Sequence, residues 1–400
     1  MTAADIKKQP VRPDCIAACL YFMCLPFTVV STPFGSVLKL VSLPVAAFLL
    51  LRVLMGKSTF TLNYIHFSYT VYILYTVALL ALYRSDRSIV ATKDMLLGLL
   101  MLLMISMRVY NEREREWIES AWLVVGLVCI VAAVLSKEVI SEREHRAVIR
   151  IFGFEEDQNH FCAYFIMPVL ICVKRFLARR RWYPMYILMI LLSFYAILKT
   201  GSRGGLIGII AGLLVYIFIG IKSIQSKVWI VVISVLVGVF VFTVIVPRLP
   251  EDVRERYTVA AVQEDRGTGR FDIWEYLLQY TAKSPQRLLH GSGIFSTYDI
   301  LYGAGFKNGV AHNTYIQILN DQGLIGLLLF FAIIVLCLLR NRGRQSLYSC
   351  AFVAIMAFSM SLTFYVFKPY LNIMMMCAMT FDATLPENQL HAAWKGEQDV

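Results

Sequence analysis

The sequence predicts an all-α polytopic membrane protein of about twelve transmembrane helices, with one long extracytoplasmic loop between the ninth and tenth. Three observations carry this. Hydrophobic residues make up 58% of the 400, mean hydropathy is +0.64, and charged residues reach only 16%, against roughly a quarter in soluble domains. Apolar runs long enough to cross about 30 Å of hydrocarbon recur along the whole chain. Between two of them lies a polar, arginine-rich stretch, from about Arg248 to Asn313, that membrane spanning does not explain.

In order, the runs fall at 15–30, 36–55, 62–83, 89–107, 118–135, 161–173, 184–198, 206–221, 228–246, 324–339, 347–367 and 370–381. Lys7, Lys8 and Arg12 precede the first run, but no small-residue cleavage site follows it, so that span is expected to be retained. The chain then divides into a bundle over 1–247 and an extracytoplasmic loop over 248–311. A short surface or cavity helix with the last three spans follows over 312–382, then a cytoplasmic tail over 383–400. Loops on the side of the N-terminus carry Arg52, Lys57, Arg108, Arg113, Arg115, Lys174, Arg175 and Arg340, and the short loops opposite carry fewer cations. Counting short loops places both termini in the cytoplasm, and the loop arginines also account for much of the net charge of +11 without a nucleic-acid partner.

All nine cysteines fall in or beside apolar runs and no Cys-x-x-Cys pair occurs in a loop, so they read as packing residues with no disulfide or zinc framework. The spans are almost free of ionisable groups. Lys39, His66, Lys93 and Asp94 sit near span ends, where long side chains snorkel. An ion-coupled transporter is expected to carry charges near the midplane, which weakens that reading. Residues 112–116, Glu-Arg-Glu-Arg-Glu, read as a solvated charge run, and 138–157 as a short amphipathic surface segment.

Three polar segments are candidates for chemistry. Gly201-Ser202-Arg203-Gly204-Gly205 lies between two apolar runs, which sets Arg203 at the N-terminal end of a span, where free N–H groups and the helix dipole favour an anion. A tight turn with a snorkelling arginine fits the same local pattern. Arg270 lies in Gly269-Arg270-Phe271-Asp272-Ile273-Trp274; Asp272 or Thr268 could open a helix through Tyr280, stopped by Pro285. Its guanidinium suits bidentate phosphate contact, although Arg248, Arg254, Arg256 and Arg266 nearby read as surface or lipid-headgroup charges. His312 opens a short helix in which it shares a face with Tyr315, Ile316 and Leu319, while Asn320-Asp321-Gln322 is too polar for free exposure to lipid. It could act as a general base or simply cap that helix. Glu155-Glu156-Asp157 with Asn159 and His160 reads better as a capped helix start than as a metal site.

Taken together, Thr200 to Gly205 entering a span, Gly269 to Trp274 in a long loop, Gly291-Ser292-Gly293, and His312 to Ile316 with Gly323 and Gly326 downstream resemble the O-antigen ligase and polymerase superfamily of bacterial envelopes, over about 199–326. The resemblance implies a metal-independent, cofactor-free, inverting glycosyltransferase with a GT-C-like helical fold in the inner membrane, its site on the outer face. His312, Arg203 and Arg270 would be catalytic. Arg203 and Arg270 would hold the diphosphate of a polyprenyl-diphosphate-linked glycan, for example on undecaprenyl diphosphate, and His312 would activate the acceptor hydroxyl or assist at the diphosphate. Ser202, Asn313, Tyr315 and Asn159 would also contact substrate. The acceptor would be lipid A core for a ligase of lipopolysaccharide, or a growing glycan for a polymerase; the motifs do not separate the two. A flippase for lipid-linked glycans and a non-catalytic envelope sensor are readings of other classes.

Overall fold

The structure, a computed structural model, describes residues 6, 9–58, 61–136, 148–178, 183–220, 223–240, 243–244, 246–248, 254, 269–340, 346–366 and 368–382. Arg256, Arg266, Thr268 and the tail over 383–400 lie outside them. Among the described residues the fold is helical, and no barrel forms. The helices are α1 (Pro13–Met23), α2 (Val37–Leu54), α3 (Tyr64–Leu82), α4 (Asp86–Ser106), α5 (Glu112–Leu135), α6 (Gln158–Ala163), α7 (Ile166–Leu177), α8 (Tyr183–Lys199), α9 (Arg203–Val215) and α10 (Ile224–Phe240). Then come α11 (Arg270–Ala282), α12 (Pro285–His290), α13 (Ser296–Gly303), α14 (Thr314–Arg340), α15 (Ser346–Phe358) and α16 (Lys368–Ala378).

Among the described residues, six stretches are long and apolar enough to cross a membrane: α2, α3, α4, α5, the α6–α7 pair and α14. Other apolar runs fold into shorter helices for local reasons. After α1 the chain tightens into a 3-10 turn over Leu25–Thr28 that contains Pro26, a residue with no N–H to donate. The run at 347–367 stops at Phe358, and the carbonyls of Ser359, Met360 and Leu362 accept from Thr314 N, Asn313 Nδ2 and Thr314 Oγ1 instead.

α9 packs against α15 through a stripe of small residues. A side chain at Gly208 or Gly212 would meet Phe358 Cβ at 2.8 Å or Ala354 Cβ at 2.7 Å, the four-residue spacing that lets two helix backbones approach. The described residues 269–311, which lead into α14, fold back onto the bundle. Ile273, Leu277 and Thr281, spaced four apart on α11, form its buried face, and Gln286 Nε2 of α12 donates to Tyr83 Oη at 3.2 Å.

The end of the bundle that holds the start of α5 is knit by charge. Arg12 pairs with Glu114 at 2.5 Å, Asp14 pairs with Arg52 and with Arg108 (3.3 Å), and Lys174 pairs with Glu119 at 2.5 Å. The run at 112–116 is therefore not a solvated face: Glu114 is fully buried, and its carboxylate accepts from Asn111 N, closing a capping box on α5. These seven charges, joined in two pairs and one triad, offset the cost of burial that each would bear alone. His66 is likewise structural; its Nδ1 accepts from Asn63 N and its Nε2 meets Ser106 Oγ at 2.7 Å. A parallel ladder between β3 (Val109–Asn111) and β6 (Thr380–Asp382) closes this end.

The opposite end carries two short hairpins. One joins β1 (Ser31–Thr32) to β2 (Gly35–Ser36), and the other joins β4 (Ile149–Ile151) to β5 (Phe154–Glu156). The second replaces part of the amphipathic segment expected over 138–157. Ile149 and Ile151 are buried while Arg150 and Glu155 pair at the surface at 2.8 Å, a period of two that suits a strand.

Candidate active site

His312 stands at this second end, just before α14. Its φ of 50° is left-handed, a region costly for a residue with a Cβ and held only where the surroundings over-determine it. They do so here. Trp274 Nε1 of α11 donates to Ala311 O at 2.7 Å, Ala311 N donates to Gln317 Oε1 at 2.9 Å, and Asn313 Oδ1 accepts from Tyr315 N and Ile316 N as the cap of α14. The histidine is half-buried between two fixed neighbours.

Arg203 opens α9, as its motif suggested, with Ser202 as the N-cap; Ser202 Oγ accepts from Gly205 N at 3.2 Å and donates to Asn159 Oδ1 at 2.9 Å. Asn159 lies in the first turn of α6, whose cap Asp157 accepts from Asn159 N and His160 N. The helix start expected at Asp157 is thus observed. The two N-termini meet closely, since a Cβ on Gly205 would lie 2.6 Å from Cys162 Cβ, and one on Gly204 would overlap Ser361 Oγ. These glycines let protein approach protein.

The turn after α15 joins the two motifs. Ser361 lies against Gly204, its neighbour Met360 accepts from Asn313 Nδ2 at 3.2 Å, and Ser359 O accepts from Thr314 N at 2.8 Å. Arg270, the first residue of α11, is one turn from Trp274 and so from the carbonyl preceding His312. The N-terminal ends of α6, α9, α11 and α14 are thereby tied together, with half-buried Arg203, Arg270 and His312 at three of them. Such ends carry partial positive charge. Of the other candidates, Tyr315 donates its hydroxyl to Met356 O at 3.0 Å and stacks on Phe331, and Asn313 spends both amide ends on the backbone. Both shape the site.

The centre of the supporting network is Asp321, which the sequence marks only as part of a polar triplet. It is fully buried and accepts from Thr297 N (2.9 Å), Thr297 Oγ1 (2.6 Å), Phe295 N (3.2 Å), Ser296 Oγ (3.2 Å), Gln317 Nε2 (3.0 Å) and Tyr365 Oη (2.8 Å). One carboxylate thus ties α13, α14 and the segment before α16, and through Gln317 it reaches the backbone beside His312. Beside it α14 kinks at Gly323 (φ 68°, ψ −169°), where Ser292 N and Gly293 N donate to Asn320 O and Asp321 O, both at 2.9 Å.

Glu156, at the end of β5, is buried and its Oε2 meets no hydrogen-bond donor. Burial first, and then the neighbouring Asp157, push its carboxyl up to about 8. The folded state then holds a proton that the unfolded chain has released, so stability is full below the ordinary carboxyl range and falls as pH rises towards 8. Glu156→Gln is expected to raise the thermal midpoint of the purified protein at pH 8 and leave it unchanged at pH 4. An equal rise at both would mean that Glu156 is not protonated in the fold.

Among the described residues no three His, Cys, Asp or Glu side chains gather as a metal site, and no disulfide joins any of the nine cysteines. Compared with known families, residues 187–331 match the family described as O-antigen ligase. The match runs from α8 to the middle of α14, and so takes in Ser202, Arg203, Arg270, His312 and Asp321. No curated protein matches the chain.

Proposed function

We propose that this chain, whose residues 187–331 match the O-antigen ligase family, transfers a glycan from a polyprenyl-diphosphate carrier to an acceptor hydroxyl at the outer face of the inner membrane. The observation that supports this most is the union, inside the matched region, of two arginine-bearing helix N-termini with His312. The cation-rich end at α5 faces the cytoplasm in this reading, in keeping with the distribution of loop charges, and His312 faces outward.

The chemistry follows from the charges. A glycosyl diphosphate already holds an activated anomeric carbon, and what the reaction lacks is a nucleophile and a stabilised leaving group. His312, acting as general base, takes the proton of the acceptor hydroxyl. The acceptor oxygen attacks the anomeric carbon while the bond from that carbon to the diphosphate oxygen breaks, and one displacement inverts the centre. Arg203 and Arg270 meet the charge gathering on the diphosphate, aided by N–H groups that need no reorganisation. Four helix ends joined by hydrogen bonds are suited to this because they are set before substrate arrives.

Within this reading the acceptor is a lipid-linked core oligosaccharide, as in a ligase. Deleting the gene from its host and sizing the glycans tests that. Long polymer accumulating on the carrier supports the ligase; single carrier-linked repeat units mean a polymerase; carrier-linked glycan trapped on the cytoplasmic side means a flippase.

A further inference from the structure

Away from the candidate site, but at the same end of the bundle, α2, α4 and α16 enclose a cleft with an excess of positive charge. Lys39 in the first turn of α2 pairs with Asp94 of α4 at 2.6 Å, leaving both side chains part-exposed. Lys368, the first residue of α16, is 8% exposed and lines the same cleft with Lys39 and Gly98. Its ammonium forms no ion pair or hydrogen bond among the described residues; Asp94 and Lys39 are the charged groups near it, and Asp94 is already engaged. Two ammoniums thus share one carboxylate. A buried charge left in that state is costly, and an anion that completes the set removes the cost.

The surroundings indicate the source of the anion. Leu40, Leu43, Leu96 and Leu100, next in sequence to the cleft residues Lys39, Ser42, Leu97 and Met101, are exposed apolar residues on helices of a membrane bundle, so this face looks onto lipid. Lys39 stands in the first turn of the span α2, beside which headgroups lie, and Lys368, the first residue of α16, lines the same cleft. The cleft itself has about 10 Å³ of free volume, room for one group the size of a water. That admits an oxygen of a phosphate and leaves the rest of the headgroup outside.

We propose that Lys368 and Lys39 form a binding site for the phosphate of an anionic lipid, with Asp94 setting its strength. The site does not depend on the transferase reading. To test it, the full chain in zwitterionic detergent is titrated with short-chain phosphatidic acid, and binding is followed by native mass spectrometry and by the thermal midpoint. One saturable site is expected, with no equal effect from inorganic phosphate at the same concentration. Lys368→Met, which keeps length and apolar packing, is expected to weaken binding about tenfold or more, the value of one charge-assisted contact. Lys39→Gln frees Asp94 to engage Lys368 and also weakens binding, and serves if the methionine variant does not fold. Asp94→Asn is expected to tighten it. Unchanged affinity in the lysine variants, weaker binding in Asp94→Asn, or equal protection by inorganic phosphate would overturn the proposal.

Discussion

Replacing Gly323 by alanine is expected to unseat the loop over 270–311 from the bundle and abolish activity. The position has φ 68° with extended ψ, which residues bearing a Cβ seldom adopt. An added methyl would also lie 2.5 Å from Gly291 N and overlap the carbonyl of Leu289. Gly291 faces the reciprocal restriction, with φ 78° and the backbone of Asp321 in contact. Two main chains cross with no side chain between them, so neither can yield without breaking the bonds from Ser292 N and Gly293 N. Strain of this kind costs about 1–3 kcal/mol and overpacking adds a similar amount, a large part of a marginal stability. Limited proteolysis of the purified variant should cut within the loop at protease levels that leave wild type intact. An intact loop and normal transfer would show that the crossing yields more easily than its geometry implies.

Asp321→Asn should have a comparable effect without changing side-chain volume. Every group around Asp321 donates to it. An amide keeps one acceptor and turns two N–H groups onto those donors, so at least Thr297 N or Phe295 N is left unmet in a buried site. Each orphaned group costs about 1–3 kcal/mol, and the variant should lose about 3 kcal/mol or more. Since Gln317 links Asp321 to Ala311 N, the turn holding His312 loosens as well. Transfer is expected to fall further than protein level does, as seen by comparing membrane abundance with glycan output. A fall in the two by the same factor would limit Asp321 to stability.

Much of this was legible in the sequence for physical reasons. Hydropathy and charge mark a membrane bundle because lipid leaves few alternatives. Asp157, Ser202 and the residues before Thr314 announce helix starts because their side chains meet orphan N–H groups. Gly204, Gly208 and Gly212 repeat at four residues, a sign of helix approach whose partner, α15, appears only in the fold. Asp321 was not legible as a centre, because its donors at 295–297 and 365 come together only through the fold. The run at 112–116 misleads for the same reason, since alternating charge looks solvated until Arg12, just ahead of α1, pairs with Glu114.

The most direct test of the central claim uses purified protein, a polyprenyl-diphosphate-linked glycan and its acceptor, with release of free polyprenyl diphosphate as the readout. His312→Gly suits it well, because glycine accepts the left-handed backbone at 312 and leaves the turn unstrained. The account predicts a thermal midpoint equal to or above that of wild type and a turnover lower by about 10²-fold or more, the range for loss of a general base. Wild-type turnover in this variant would contradict the assignment of His312 as the group that activates the acceptor.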